Sequence, residues 1–169
     1  KRQLFEIDAL DLSVNRILSL DNNINYRNAM HHSKVKPTWV TPHPNGKTLY
    51  VAGNGSDEIL VVDLESFSVE NKLSTGKGPY NLAVSPNGKI LLATLKSEGA
   101  VSVWSLKNNK LLKKIKNTTN IPHGVVISPD NKYAFVSVEG IGGEPGKVDV
   151  INLETLSLQG SINVGKQAG

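Results

Sequence analysis

The chain has 169 residues, of which 38% are hydrophobic and 20% charged, and carries a formal net charge of +4. This composition predicts a soluble globular fold with a sizeable core rather than a disordered chain. The absence of cysteine excludes disulfides, thiolate catalysis and zinc–cysteine centres, and no run is long or apolar enough to span a membrane as a helix.

In chain order, residues 1–21 read as the outer two strands of a partial repeat unit. Their Ile7-Asp-Ala-Leu-Asp-Leu-Ser-Val is a worn copy of Val62-Asp-Leu-Glu-Ser-Phe-Ser-Val, 55 positions on. The same signature returns as Ile151-Asn-Leu-Glu-Thr-Leu-Ser-Leu, 89 positions after Val62. Residues 22–36 read as an inserted loop that contains His31 and His32. Three related segments follow: Pro37-Thr-Trp-Val-Thr-Pro-His-Pro-Asn-Gly-Lys, Pro79-Tyr-Asn-Leu-Ala-Val-Ser-Pro-Asn-Gly-Lys and Pro122-His-Gly-Val-Val-Ile-Ser-Pro-Asp-Asn-Lys. Their prolines are 42 and 43 residues apart, which divides the chain into units 37–78, 79–121 and 122–167. Residues 168–169 read as the start of a further unit, because Gly165-Lys-Gln-Ala-Gly parallels Gly76-Lys-Gly-Pro-Tyr.

The second unit shows the internal plan. Leu82–Val84 predict a first strand, and Asn87-Gly88 supplies the positive φ of a tight hairpin. Ile90–Leu95 predict a second strand. Val101, Val103 and Leu106 alternate with serines as a half-buried third strand would. Leu111–Ile115 form the fourth, where Lys110, Lys113, Lys114 and Lys116 suit a solvent-facing outer edge. No aromatic residue interleaves these lysines, so they do not read as a nucleic-acid surface. No segment has helical periodicity. Four short antiparallel strands every forty-odd residues predict an all-β β-propeller of four-stranded blades, here three whole blades plus an outer half-blade. That number does not close a ring, so a larger parent ring of six to eight blades is expected.

Pro-x-x-x-x-x-Ser-Pro-(Asn/Asp)-Gly-Lys, an apolar strand and then Val-x-Val-(Asp/Asn)-Leu resemble the repeat of YVTN-type surface-layer and YncE-like propellers over Pro37 to Gly165. The resemblance implies seven blades, a WD40-like architecture and an exported protein at the cell surface or in the periplasm. The Pro-His start and Ser-Pro-Asp turn at Pro122–Asp130 also resemble lactonase propellers. The paired histidines and Pro-His-Gly resemble the propeller of nitrous oxide reductase, whose copper cluster is held by histidines.

In a propeller the innermost strand lines the channel, and the loop before it shares one face with the turn between strands two and three. This places Thr38, Tyr80 and His123 at one repeat position on the ligand face, with Trp39, Asn81 and Gly124 next to them. Glu139 opens a Gly-rich loop, residues 139–147, longer than its counterpart by about four residues. Because that loop precedes a strand, it lacks the helix terminus of a phosphate cradle. Glu139 and His123 are the nearest pair for acid/base work. His31, His32 and His123 are the candidate metal ligands, whereas His43 falls on the opposite face. Asp57 and Glu98 read as exposed turn residues, and the Asn54-Gly-Ser and Asn117-Thr-Thr sequons as turn asparagines.

These residues assemble no complete catalytic set and call for no cofactor. The reading is a non-catalytic propeller module that binds a protein, glycan or small ligand through its loop face. The alternative is the propeller of a lactonase-like enzyme or of a metal- or haem-dependent reductase.

Overall fold

The computed structural model describes residues 3–21 and 34–166, and its regular elements are fourteen β-strands. β1 (Gln3–Ile7) and β2 (Val14–Ser19) form a two-stranded sheet. Three antiparallel meanders follow. The first blade is β3 (Pro37–Pro42), β4 (Thr48–Gly53), β5 (Glu58–Asp63) and β6 (Ser68–Ser74). The second is β7 (Pro79–Val84), β8 (Ile90–Leu95), β9 (Ala100–Ser105) and β10 (Lys110–Lys116). The third is β11 (Pro122–Ile127), β12 (Tyr133–Val138), β13 (Lys147–Asn152) and β14 (Ser157–Asn163). This is the all-β propeller architecture, with strands running from inner to outer in sequence order.

The repeated turn residues explain the repeated hairpins. Gly46 and Gly88 adopt φ of 68° and 70° after Asn45 and Asn87, and the third unit places Asn131 there at φ 63°. Asparagine tolerates this left-handed region better than other non-glycine residues. A Cβ on Gly88 would also lie 2.7 Å from the His43 ring, whose Nε2 is 2.9 Å from the Gly88 carbonyl oxygen. His43 therefore packs the first blade's turn onto the second's.

The innermost strands begin earlier than the apolar pattern suggests. β7 starts at Pro79 rather than Leu82, because the ladder with β8 is interrupted between these residues. Corresponding breaks lie between Pro37 and Trp39 and between Pro122 and Val125. At such breaks the backbone leaves the pairing pattern, and side chains take over its hydrogen bonds.

The hydrophobic core lies between blades. Tyr50, Ile59, Val61 and Leu73 of the first blade pack against Leu82, Leu91, Ala93 and Trp104 of the second. Leu92, Val101, Val103 and Ile115 then pack against Val125, Ala134, Val136 and Ile151 of the third. Leu20, Val51, Leu60 and Val62 form a third cluster, with Leu4 and Leu18 against it. Each sheet thus has two apolar faces, one toward each neighbour. Phe135 and Ile162 occupy the positions of Leu92 and Ile115, yet they are 38% and 61% exposed. Phe5 and Ile7, equivalent to Leu60 and Val62, are likewise exposed. These two sheet faces carry the pattern of blade interfaces.

Asp57 and Glu98 differ from the expectation of plain exposed turns, since both clamp the segment that leads into the second blade. Asp57 accepts hydrogen bonds from Lys77 Nζ at 2.8 Å and Gly78 N at 2.9 Å, and Glu98 accepts from Lys77 N at 2.7 Å. The Lys77 hydrogen bond, followed by that of Gly78, holds the Asp57 carboxyl below its ordinary range. A group depressed in this way stabilises the fold above its unfolded-state pKa and loses that contribution as pH falls through the folded one. Asp57→Asn is therefore expected to lower the urea midpoint at neutral pH and to match the parent protein in acid. The neutral-pH loss should be under about 1 kcal/mol, because solvent screens the pair. A loss that persists unchanged in acid would show that the clamp is not ionic.

Candidate functional site

The β4–β5, β8–β9 and β12–β13 turns share one face with the segments that lead into β7 and β11. On this loop face, two repeat positions carry a different pair of side chains in each blade. They are Thr38 with Asn54, Tyr80 with Lys96, and His123 with Glu139.

The first pair is structural. Thr38 Oγ1 donates to the Tyr80 carbonyl oxygen at 2.8 Å, and Asn54 Nδ2 to that of Pro79 at 3.3 Å. Both hold β7 against the first blade. In the second pair, Lys96 Nζ lies 4.7 Å from the centroid of the Tyr80 ring, a cation–π contact. In the third, His123 Nε2 lies 2.9 Å from Glu139 Oε2, with both side chains partly buried. The Tyr80 and His123 rings meet edge-on at 5.3 Å. Lys96, Tyr80, His123 and Glu139 thus form one continuous arc across two blades.

Buried hydrogen bonds fix this arc from below. Thr94 Oγ1 accepts from Asn81 N at 2.9 Å and donates to the His123 carbonyl oxygen at 2.8 Å. It caps the ladder break of its own blade and ties down the next blade's opening strand. Ser137, its equivalent, accepts from Gly124 N at 2.9 Å, and Thr119 Oγ1 donates to the Glu139 carbonyl oxygen at 2.9 Å. Asn81 is buried, and its Oδ1 accepts from Val125 N at 3.4 Å, so it joins the second blade to the third.

Trp39 is apart from the arc. It pairs with Ala52, is half exposed, and lines an open cleft of about 380 Å³ with Gln3, Leu4, Leu20, Thr38 and Val40. The Gly-rich loop closes on itself, since a Cβ on Gly140 would overlap the Glu144 carbonyl. Its far end is tied to the chain after β14 by Gly146 N to Gly165 O and Val164 N to Gly146 O. Both sequon asparagines use their amide nitrogens internally: Asn54 on Pro79, and buried Asn117 on Asp149 at 3.0 Å.

His31 and His32 lie outside the described residues. Among the described residues no three His, Asp or Glu side chains converge as a metal site, and the partner of His123 is Glu139. With Nε2 directed at Glu139, Nδ1 is the ring nitrogen left to meet a ligand or a water. Lys96 and Thr94 emerge only from the structure, although the spacing of Asn54, Lys96 and Glu139 places Lys96 at the same repeat position.

The chain was compared with known proteins. Ninety residues are 34% identical to Protein groucho of Drosophila melanogaster, covering 52% of this chain and 12% of that protein. A putative BTB/POZ domain and WD-repeat protein of Acanthamoeba polyphaga mimivirus is 22% identical, over 93% of this chain and 30% of the relative. The chain thus spans under a third of the length of either. Among solved structures, hydrazine synthase of Kuenenia stuttgartiensis superposes with a TM-score of 0.75 at 25% identity, covering 86% of this chain and 41% of that one. U3-55K superposes at 0.71 and 13% identity, covering 82% and 42%, a likeness of fold. Residues 21–142, well over half of the chain, match the family described as Lactonase, 7-bladed beta-propeller. With its three four-stranded blades and their shared loop face, this chain belongs to the lactonase-type seven-bladed β-propeller family.

Proposed function

We propose that this propeller is a non-catalytic binding module, of the YncE-like surface-layer type and exported, whose blades 37–78, 79–121 and 122–167 present Tyr80, Lys96, His123 and Glu139 to a ligand or partner protein. One observation carries this reading. Equivalent backbone positions hold Thr–Asn, Tyr–Lys and His–Glu in successive blades, so the fold itself does not select these side chains. The arc combines an aromatic face, an ammonium group, an imidazole and a carboxylate within two blades. Such mixed chemistry suits recognition of a polar partner. The WD-repeat relatives support a protein as that partner.

The experiment separates this role from a structural one. Tyr80→Thr and His123→Thr install the residue of the first blade, and each is expected to shift unfolding stability by no more than about 0.5 kcal/mol. Large destabilisation of both variants would assign the arc to folding instead. A second reading, lactone hydrolysis, is favoured by the His123–Glu139 pair, in which the carboxylate orients an imidazole that can activate water. Acid release from a simple δ-lactone that disappears in both His123→Thr and Glu139→Gln would replace the binding proposal with that reading.

A further inference from the structure

The face opposite the loop face has its own asymmetry. Each blade brings the turn between its first two strands next to the turn between its last two, through one conserved bond: Leu64 N to Lys47 O, Leu106 N to Lys89 O, and Leu153 N to Lys132 O. The three blades thereby share a lower outer corner of the same geometry, each containing one lysine. What surrounds that lysine differs.

In the first blade the neighbours are Asp63, Glu65, Ser68, Glu70 and Asn71. Hydrogen bonds from Ser66 and the Lys47 charge hold the Asp63 carboxyl below its ordinary range. The third blade has Asn152, Glu154, Ser157, Gln159 and Gly160 at the same positions. The second has Ser105, Lys107, Lys110, Leu112 and Lys113. Glutamate has become lysine at 107, serine has become lysine at 110, and a polar residue has become leucine at 112. Lys89, Lys107, Lys110 and Lys113 are all exposed and make no ion pair among the described residues. Leu112 sits at the ladder irregularity between Leu111 and Lys113 and is 46% exposed beside Leu111 at 42%. The first blade folds with a net negative charge at these positions, and in the third Lys132 and Glu154 balance, so blade formation does not require this composition. The four unneutralised cations repel one another, and the two exposed leucines cost solubility.

We propose that this corner of the second blade is a docking surface for an acidic, partly apolar polypeptide segment of a partner protein. Charge complementarity supplies the attraction, and the two leucines supply an apolar contact at its centre. The flanking corners decide in favour of a narrow polypeptide. The first blade's Asp63, Glu65 and Glu70 outnumber Lys47, and the third blade's Glu154 offsets Lys132, so a bilayer or nucleic acid broad enough to meet three blades would be repelled at the first and gain no net attraction at the third. A segment lying along β10 meets only the cationic corner. The surface is separate from the loop-face arc, so the proposal does not depend on that site.

The test uses the full chain and a fluorescently labelled peptide of alternating glutamate and leucine, read by polarisation. Binding is expected, and it should weaken at least about tenfold in K107E/K110S and again on raising the salt, as a screened ionic contact must. Both substitutions take the first blade's residues, so the far-UV spectrum and unfolding midpoint should stay close to the parent's. Leu112→Gln, the third blade's residue, should weaken binding without changing the salt slope. Absence of peptide binding, or binding indifferent to K107E/K110S, overturns the proposal. It is overturned equally if phosphatidylserine vesicles or a single-stranded oligonucleotide bind more tightly than the peptide and lose that binding in the same variant.

Discussion

Thr94→Val is expected to destabilise the chain by about 2–3 kcal/mol in urea unfolding, a large effect for an isosteric change at one hydroxyl. Thr94 is fully buried, and its Oγ1 joins two backbone groups at the ladder breaks: Asn81 N in its own blade and the His123 carbonyl oxygen in the next. Valine preserves the shape and removes both bonds, leaving one buried donor and one part-buried acceptor. An unpaired buried group costs more than its hydrogen bond contributes net, roughly 1–3 kcal/mol each. Thr94→Ser should keep most of the stability, because Ser137 fills the equivalent position in the third blade and bonds Gly124 N. The two substitutions together separate the hydroxyl from the methyl. A Thr94→Val midpoint within error of the parent would show that water or backbone adjustment replaces the bond. Because the same hydroxyl anchors His123, Thr94→Val should also weaken whatever the loop face binds, and Thr94→Ser should not.

Much of this architecture is legible in the sequence. The Asn-Gly hairpins, the alternating third strands and the recurrence of proline every 42 or 43 residues report local constraints that each blade must satisfy by itself. The pairing of His123 with Glu139 is also legible, since repeat spacing alone puts both on one face. What escapes is the hydrogen bonding between blades. Thr94 reads as one more β-branched residue in an apolar strand, and nothing local shows that its hydroxyl faces the next blade's backbone. Asp57 and Glu98 read as ordinary turn acids because their partners, Lys77 and Gly78, lie about twenty positions away in sequence. Asn81 reads as a ligand-face residue because its strand lines the channel, yet the ladder break turns it into the blade interface. Such contacts depend on how two independently specified sheets sit together, and that information is spread over both.

Asp149 carries the same lesson into a sharper expectation. It is fully buried in β13, at the position of Leu60 in the first blade and Ser102 in the second. Its oxygens accept from Asn117 Nδ2 at 3.0 Å, Thr118 N at 2.9 Å and Thr118 Oγ1 at 2.6 Å. All three donors belong to the segment joining the second blade to the third. Asn117 Oδ1 is itself buried with no hydrogen-bond partner among the described residues, so the Asp149 bond is what secures that amide. Asp149→Ser alone should therefore cost roughly 2–3 kcal/mol, since a shorter side chain strands the buried Asn117 amide and gives up the two part-buried bonds from Thr118. The second blade does without the acid: Ser102 accepts from Trp104 Nε1 at 3.1 Å and donates to the Ala93 carbonyl oxygen at 3.4 Å, and its joining segment has Thr75 and Gly76 where the third has Asn117 and Thr118. The combined change Asp149→Ser, Asn117→Thr, Thr118→Gly is expected to recover more than half of the loss, a strong departure from additivity between residues that act as one unit. If the three changes instead sum in urea unfolding, Asp149 stabilises the third blade internally, and the joining segment is not what its carboxylate holds.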